Sequence, residues 1–575
     1  MLRIAPPSVQ CRTLDDGCVL SSRIEPEPAV ATVGVWLARW AVEAPRRVFL
    51  AERGDGGAWR TTSYEEAARV AAAIGGGLLR RGARADRPIL VLSDNSVDVA
   101  LLELAALHIG VPIAIVSSAY SLAGTELARL RAIVRQLGPG FVYAKDRVRY
   151  AAALALATPD PAFVLDREDL RELARGPSVA PVDAGPATIA KILFSSGSTG
   201  APKGIVNTHR MLTTSQEALA ACWPFVHDTP PVLVDCLPFS HTFGSNHNFF
   251  LVLRNGGSLY IDRGRPAPGL VSTTLASMAE VGPTMWVNVP RGFESALPLL
   301  EADRGLARAV LRNVDVVFYA AAALRASTRS RLMGVARAAG RDPFFTASWG
   351  STETSPLATS AHYVTDVPNI LGVPVPGVEV KLARVGELHE LRVRGPNVTP
   401  GVWLPGGGVQ PIALDSDGFL PTGDGGRLVD ESDPARGIVC TGRIGENFKL
   451  SSGTWVSVGT VRLALVEALA PLVLDVVLTG RDASHLSALV FLGPAAQGRA
   501  EADLHEALAS SLVVYNATRA GASERVERLL VMTEPLSLDQ GETTDKGYTN
   551  QRRVLERRAA DVKRLDEATG GPPVR

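Results

Sequence analysis

The sequence has little of several features that mark specialised protein classes. It contains only 5 cysteines in 575 residues, scattered without metal-ligand spacing. A sparse, odd number of cysteines argues against a disulfide framework and is typical of a reducing compartment. We therefore expect free thiols and a cytoplasmic location.

An excess of charge of one sign is also missing. Lysine plus arginine and aspartate plus glutamate each number 59, so the net charge is zero. Nucleic-acid-binding domains normally carry a basic surplus, so we expect no nucleic-acid partner. The sequence shows no uninterrupted apolar run of membrane-span length, and residues 1–10 contain two prolines instead of the apolar core of a signal peptide. Whether the protein is a monomer or a homodimer stays open.

The order of apolar patterns predicts an α/β protein of more than one domain. Up to about residue 350, strand-like and helix-like stretches alternate, which predicts parallel βαβ units. Between Val378 and Arg443 the runs become short and glycine-rich, as in a small antiparallel or barrel-like subdomain. We predict a large domain over residues 1–443 with an irregular arm at residues 1–30. A smaller, mobile α+β domain over residues 444–575 is predicted to end in a charged helix from Asn550 to Glu567.

One stretch, from Phe194 to Gly204, combines three glycines, four hydroxyl residues and one lysine between two strand-like runs. Glycines let backbone N–H groups turn toward a ligand, and the hydroxyls and the cation add donors. This chemistry predicts a polyphosphate-binding loop, and a flexible linker is the alternative. The Walker pattern does not fit, because Gly204 follows Lys203 where that pattern has serine or threonine. The predicted phosphate-binding residues are Ser195, Ser196, Gly197, Ser198, Thr199, Gly200 and Lys203.

Two further stretches carry polar groups suited to a nucleotide. In Trp349-Gly350-Ser-Thr352-Glu353, the threonine can donate to a phosphate and the glutamate offers a hard oxygen ligand for Mg²⁺. In Thr422-Gly-Asp424, a carboxylate can accept two hydroxyl donors such as those of ribose, and Arg443 follows 19 residues later.

These stretches, in this order, resemble the signature motifs of the acyl-adenylate-forming superfamily of acyl-CoA synthetases, luciferases and peptide-synthetase adenylation domains. The resemblance covers roughly residues 30–570, and residues 446–459 and 544–552 resemble feruloyl-CoA synthetases in particular. It implies an AMP-forming ligase that uses ATP, Mg²⁺ and coenzyme A to activate a small carboxylic acid such as ferulate. The alternatives are transfer of another aryl or medium-chain acid to CoA or to a carrier protein, a non-catalytic nucleotide-binding protein, and a luciferase-like enzyme.

The resemblance also implies roles for individual residues. Catalysis is assigned to Lys203, His241, Thr352, Glu353 and Lys546, with Mg²⁺ on Glu353, and AMP binding to the phosphate loop with Trp349, Gly350, Thr352, Asp424 and Arg443. The acyl pocket is assigned to His241, Phe243, His247, Ala320, Ala321 and Ala322, and the hinge and thioester residues are Gly445, Glu446 and Lys449. The chain departs from the superfamily twice. Glycine stands at position 445 instead of Asp or Lys, and alanines replace a glycine-alanine pattern after Tyr319, where the start of an Ala-rich helix is the alternative.

Overall fold

The computed structural model describes residues 2–122, 127–158, 160–196, 202–265, 269–537, 540–543, 549–566 and 574. The chain forms two compact units. The first unit consists of Met1–Lys381, Arg392–Pro421 and Leu428–Ile438, and the second of Leu382–Leu391, Thr422–Arg427 and Val439–Arg575. The α/β class is confirmed, and the domain boundary after residue 443 stays a prediction.

Helices and strands alternate along most of the first unit. Its helices are Gly34–Glu43, Tyr64–Arg80, Val97–His108, Ala119–Leu122, Ala128–Leu137, Ala151–Ala157, Arg167–Ala174, His209–Cys222, Phe225–Asp228, the π-helix Phe243–Phe249, Phe250–Arg254, Val271–Val281, Pro290–Ala302, Arg304–Leu311 and Ala326–Ala338. Within the described residues, no helix has the length and apolar character needed to cross a membrane.

One sheet of the first unit contains eight strands in the described part of the chain. Three of them consist of three apolar, fully buried residues and pair in parallel, which is the pattern of a sheet covered on both faces. In spatial order the eight strands are Gly408–Pro411, Gly401–Leu404, Pro202–Thr208, Ile189–Ser196, Ile113–Ile115, Ile89–Val91, Phe141–Tyr143 and Val164–Leu165.

The other strands before residue 443 also include parallel neighbours, as βαβ units require. One parallel set is Val232–Asp235, Ser258–Ile261 and Val48–Arg53, with Trp59–Ser63 antiparallel to the last. Another is Met285–Asn288, Val316–Ala320 and Phe344–Gly350, followed by the antiparallel strands Leu357–Ser360 and Ile370–Pro374. Short strands follow where the sequence predicts them, at Glu379–Val385, Leu388–Arg394, Leu420–Leu428 and Ile438–Arg443.

The prediction of an irregular arm at residues 1–30 is wrong. Val9–Leu14 and Gly17–Ser22 form an antiparallel hairpin, in which Leu14 faces Gly17. The connection is therefore the two-residue turn Asp15-Asp16, and the polar composition of this stretch obscured the hairpin.

The second unit has an α+β core. Val473–Thr479 pairs antiparallel with Leu486–Leu492, which pairs in parallel with Val526–Met532. The helices Val458–Ala468 and Glu501–Ala517 contribute buried apolar residues to the same core. The single terminal helix predicted over 550–567 is wrong, because two helices form instead. They are Gln551–Arg557 and Ala559–Asp566, and the short strands Phe448–Lys449 and Trp455–Val456 complete the unit.

A fully buried ion pair lies behind the predicted phosphate loop. Lys191, in the strand that leads into the loop, and Glu103, in helix Val97–His108, are both 0% exposed, with Nζ 2.5 Å from Oε1. Lys191 also donates to the hydroxyl of Ser245 in the π-helix. Burial lowers the pKa of Lys191, and Glu103 acts in the opposite direction. The pair thus ties the loop strand to a helix and to the π-helical turn.

Candidate active site

The predicted phosphate loop connects two antiparallel strands. Ile189–Ser196 and Pro202–Thr208 pair in a register that sets Ser195 opposite Lys203, so these two residues stand at the base of the loop. Lys203 is exposed. The loop residues Gly197, Ser198, Thr199 and Gly200 lie outside the described residues. The strand-like runs predicted on either side of the loop are confirmed.

The stretch from Trp349 to Glu353 forms a tight turn at the end of strand Phe344–Gly350. A Cβ at Gly350 would lie 1.5 Å from the carbonyl oxygen of Pro356, so only glycine fits there. Thr352 and Glu353 then occupy one turn of 3₁₀-helix and stay partly exposed. The hydroxyl of Thr354 closes the turn by accepting the N–H of Ser351 at 2.8 Å. The backbone thus holds Thr352 and Glu353 where both side chains can reach a ligand.

Thr399, which sequence reasoning missed, joins this turn to the loop strand. Its N–H donates to the carbonyl oxygen of Glu353 at 2.9 Å. Its buried hydroxyl donates to the carbonyl oxygen of Val206 at 2.6 Å. The local sequence Pro396-Asn-Val-Thr-Pro400 signals only a loop. The structure therefore links the predicted phosphate-binding and Mg²⁺-binding segments through Thr399, a residue that is distant from both in the sequence.

An aromatic cluster contains Phe243 and His247, two of the predicted acyl-pocket residues. The His247 ring stacks on Phe318 with centroids 4.7 Å apart and planes inclined by 6°. Phe243 meets both rings edge-on, with centroid distances of 5.6 Å. Trp223 packs edge-on against Phe318 at 5.4 Å. We did not predict Trp223 or Phe318, because single aromatics in apolar runs are ordinary core residues.

The π-helix that carries this cluster is anchored to the loop strand. Asn246 donates from Nδ2 to Oδ1 of Asn207 at 2.8 Å. Gln216 donates to the carbonyl oxygens of Asn246 and His247 at 2.8 and 3.2 Å. The position of the cluster relative to the loop strand is thereby set by buried hydrogen bonds.

His241 and the alanine run flank the cluster. His241 is half-buried, and its carbonyl oxygen accepts the N–H of Ser245 at 2.9 Å. Ala320 ends the strand that contains Phe318, and the next helix begins only at Ala326. Ala321 has a φ of 76°, a left-handed conformation that is costly for any residue except glycine. The Ala-rich helix start is therefore wrong, because the chain turns at Ala321 before the helix begins at Ala326. Ala321 and Ala323 are exposed and Ala322 is half-buried.

The second unit brings together the predicted ribose-binding pair. Arg443 Nε lies 2.9 Å from Asp424 Oδ1, and Arg443 also donates to the carbonyl oxygen of Thr422 at 3.1 Å. Gly423 has a φ of 74°, which turns the chain sharply before the aspartate. The contact with Arg443 orients the Asp424 carboxylate. The side chain of Asp424 is still 16% exposed, so a ligand can reach it.

A comparison with protein families decides the family of this chain. A model described as AMP-binding enzyme matches residues 37–403, which is more than half of the sequence. The chain belongs to the AMP-binding enzyme family. The matched range contains the loop strands, the Thr352–Glu353 turn and the aromatic cluster.

Individual relatives of the family act on different acids. The chain is 28% identical over 278 residues to the 3-[(3aS,4S,7aS)-7a-methyl-1,5-dioxo-octahydro-1H-inden-4-yl]propanoyl:CoA ligase of Rhodococcus jostii (strain RHA1), covering 46% of this chain and 50% of that protein. It is 30% identical over 251 residues to a long-chain-fatty-acid–CoA ligase of Yersinia pestis, covering 40% of each. The chain thus spans half or less of the length of these curated relatives.

The fold itself matches solved structures over nearly the whole chain. The crystal structure of the anthranilate CoA ligase AuaEII in complex with anthranoyl-AMP superposes with a TM-score of 0.74. The match covers 93% of this chain and 98% of that one, at 18% sequence identity. At this identity the likeness concerns the fold alone.

In this AMP-binding family chain, the predicted hinge residues follow Arg443 directly. Ile444–Glu446 form a single 3₁₀ turn, and a side chain at Gly445 would meet nothing within 4 Å. Burial raises the pKa of the Glu446 carboxyl, with Arg462 acting in the opposite direction. Lys449 is exposed, with Nζ 5.1 Å from the centre of the Trp455 ring.

Lys546 lies outside the described residues, between two paired residues. Thr543 and Thr549 form an antiparallel bridge. Next to this bridge, fully buried Glu542 accepts two hydrogen bonds from Arg558, at 2.7 and 2.9 Å. Burial alone would raise the pKa of Glu542, but the Arg558 hydrogen bonds lower it to about 2. The chain is therefore firmly held on both sides of the segment that contains the lysine.

Proposed function

We propose that this protein is an ATP-dependent acid–thiol ligase that forms an acyl-AMP and then an acyl-CoA thioester, in the cytoplasm. The observation that carries the proposal is the link through Thr399 between the phosphate-loop strand and the Thr352–Glu353 turn. Family membership and the Asp424–Arg443 pair support it. The five cysteines are free thiols, which agrees with a reducing compartment.

In the first step, a carboxylate oxygen of the acid attacks the α-phosphorus of ATP, and the bond to the pyrophosphate oxygen breaks. Lys203, Thr352 and the loop N–H groups would stabilise charge on the phosphate oxygens, which is electrostatic catalysis. Lys546 would contact both the acid carboxylate and the α-phosphate and so lower the entropic cost of their encounter. Asp424 would hold the ribose hydroxyls.

Glu353 would hold Mg²⁺, which neutralises phosphate charge when bound. Mg²⁺ commonly uses one or two carboxylates together with substrate phosphates. Glu353 fits that pattern, because it offers one carboxylate in a turn that is tied through Thr399 to the strand next to the predicted phosphate loop. Its backbone is fixed by Thr399, and its side chain stays partly exposed.

In the second step, the sulfur of CoA attacks the acyl carbon, the bond to the AMP oxygen breaks, and the thiol proton is released. We propose that rotation about the turn at Gly445 replaces Lys546 by a face that includes Lys449. Gly445 can absorb a large change of φ and ψ, since it carries no side chain.

The decisive test is ATP-dependent pyrophosphate release with a panel of hydroxycinnamates, benzoates, and medium- and long-chain fatty acids, with and without CoA. We expect release that depends on the acid, and AMP and acyl-CoA when CoA is present. Acyl transfer only to a carrier protein would favour that alternative. ATP binding without turnover of any acid would favour a non-catalytic nucleotide-binding protein, and oxygen consumption a luciferase-like enzyme.

For the acid, we propose a flat aromatic carboxylate such as ferulate or coumarate. A ring would pack against Phe243, the least buried member of the cluster, and the small alanines after Tyr319 leave room for it. His247 adds one polar group to this apolar cluster, which suits a ring hydroxyl.

Replacing His247 with alanine should reduce the preference for coumarate over cinnamate from about 10- to 100-fold to near unity, since the variant loses the partner of the hydroxyl. The measurement is kcat/KM for pyrophosphate release with each acid, and the Kd of ATP should not change. His362→Ala removes another buried histidine, outside the cluster, and serves as the matched control. An enzyme that prefers medium-chain aliphatic acids to all aryl acids would exclude this substrate class.

Replacing Asp424 with alanine should weaken ATP binding about 10- to 100-fold, because a charged hydrogen-bond partner of the ribose is lost. Arg443 is 58% exposed, so no buried charge is left unpaired and folding should be little affected. The Kd of ATP is measured by calorimetry. Asp430→Ala is the control, since Asp430 forms a similar pair with an exposed arginine, Arg436, at 3.1 Å. Equal ATP affinity in both variants would rule out the assigned role of Asp424.

A further inference from the structure

Three buried side chains form a hydrogen-bonded series behind the aromatic cluster. Asp235 ends strand Val232–Asp235, and Asn248 and His247 are neighbours in the π-helix. Asn248 donates from Nδ2 to Oδ2 of Asp235 at 2.7 Å. The Nδ1 atom of His247 lies 2.9 Å from Oδ1 of Asn248. The three residues are 4%, 0% and 2% exposed, so water does not compete for these bonds.

The direction of the series follows from what each group can donate. Oδ1 of Asp235 accepts the N–H of Leu237 at 2.8 Å. An ionised carboxylate only accepts, so Asn248 must turn its NH₂ group to Asp235 and its carbonyl oxygen to His247. A carbonyl oxygen also only accepts, and therefore Nδ1 of His247 carries the proton. In a neutral imidazole the other nitrogen, Nε2, then holds a lone pair.

The charge states agree with this direction. Burial lowers the pKa of His247 to about 4, although the contact with Asn248 acts in the opposite sense, so the ring is neutral near neutral pH. Burial raises the pKa of Asp235 to about 7, against the hydrogen bonds from Asn248 and Leu237 that lower it. Above that pH the carboxylate is ionised, and the directions of all the bonds are set.

Nε2 of His247 is buried and has no hydrogen-bond partner among the described residues. The ring lies among Phe243, Phe318 and Trp223. A buried acceptor without a donor is less favourable than one that accepts a hydrogen bond. A ligand that donates to Nε2 would remove this cost, whereas a ligand with only an acceptor at that place would face a second lone pair.

We propose that Asp235 and Asn248 are positioning residues that keep Nε2 of His247 as an acceptor, so that the pocket selects aromatic acids carrying a ring hydroxyl or amino group and rejects the corresponding ethers. This rests on the proposed function and sharpens its substrate class. Recognition depends on the donor hydrogen of the ligand. An acid with a methoxy group in place of the hydroxyl should therefore bind no better than an acid with no substituent there.

The wild-type enzyme tests the selectivity directly at pH 8.5. We expect cinnamates with a hydroxyl or amino group at ring position 3 or 4 to exceed the matching methoxy and unsubstituted acids in kcat/KM for pyrophosphate release by about 10- to 100-fold. If methoxy and hydroxy acids react equally well, the inference is wrong while the proposed function stands. If no acid releases pyrophosphate, the proposed function itself fails.

The variant Asp235→Asn tests the positioning role. Its amide can keep the bond from Leu237 and donate its NH₂ group to Oδ1 of Asn248, which reverses the series and places the proton on Nε2. The hydroxy-to-methoxy ratio should therefore fall to one or below, with kcat/KM for the methoxy acid rising. If Asp235 had only a structural role, kcat/KM would fall equally for both acids and the hydroxy-to-methoxy ratio would not change. That result would overturn the assignment. If the variant fails to fold, the wild-type panel still decides the selectivity.

Discussion

Replacing Lys546 with alanine should slow acyl-adenylate formation by about 100- to 1000-fold, while thioester formation from synthetic acyl-AMP stays near the wild-type rate. The expected loss is large because, in the proposed mechanism, the Lys546 cation meets charge that develops on the phosphate only in the transition state. The second step is expected to be spared because, in the proposed mechanism, Lys546 has left the site before the thiol attacks and AMP departs.

Described residues on both sides of the segment that contains Lys546 are well anchored. The bridge between Thr543 and Thr549 and the buried Glu542–Arg558 pair anchor the chain on both sides. Both half-reactions are measured separately, as pyrophosphate release and as acyl-CoA formation. Lys449→Ala is the matched control and should show the reverse pattern. Equal losses in the two half-reactions of Lys546→Ala would contradict the rotation mechanism.

Replacing Lys191 with methionine should lower the free energy of unfolding by about 3–5 kcal/mol, because it leaves the Glu103 carboxylate buried without its partner. The double variant Lys191→Met/Glu103→Leu should recover most of that loss, since no buried charge remains. The measurement is the shift of the denaturant midpoint, followed by tryptophan fluorescence.

A second lysine provides the control for this prediction. Lys381 pairs with Asp417 at 2.7 Å, but Asp417 is 55% exposed, so water can solvate it when the lysine is removed. Asp415, 3.7 Å from Lys381, keeps Arg392 as its partner at 2.9 Å. Lys381→Met should therefore cost only about 1 kcal/mol or less. Similar losses in the two single variants, or no recovery in the double variant, would show that burial of the Lys191–Glu103 pair does not matter.

Sequence reasoning could propose most residues of the candidate site, because their polar groups lie in short continuous stretches. Ser195 and Lys203 flank a loop, Thr352 and Glu353 share a turn, and a strand pattern on each side of the loop was visible. The errors came where composition and hydrogen bonding disagree. The polar composition of residues 9–22 predicts an irregular arm, but the stretch forms a hairpin. Its strands lack the sustained alternation of apolar and polar residues that would indicate them in the sequence.

The partners of these stretches were beyond the reach of sequence reasoning. Thr399 bonds to Val206 across 193 residues, and Lys191 meets Glu103 across 88. Phe318 was missed because it reads as one more apolar residue of a strand. Such contacts leave no local period or spacing, so no pattern predicts them.

The sequence by itself determined the α/β class and the resemblance to adenylate-forming enzymes, and it predicts a polyphosphate-binding loop, because these depend on residue types over short distances. Only the tertiary structure decided which groups meet. It tied the loop strand to Glu353 and assembled the aromatic cluster around His247. It also placed Asn248 between Asp235 and His247, where it bonds to both. The physical reason is that packing of buried apolar surfaces brings distant segments together, and the buried polar groups must then find partners wherever that packing places them.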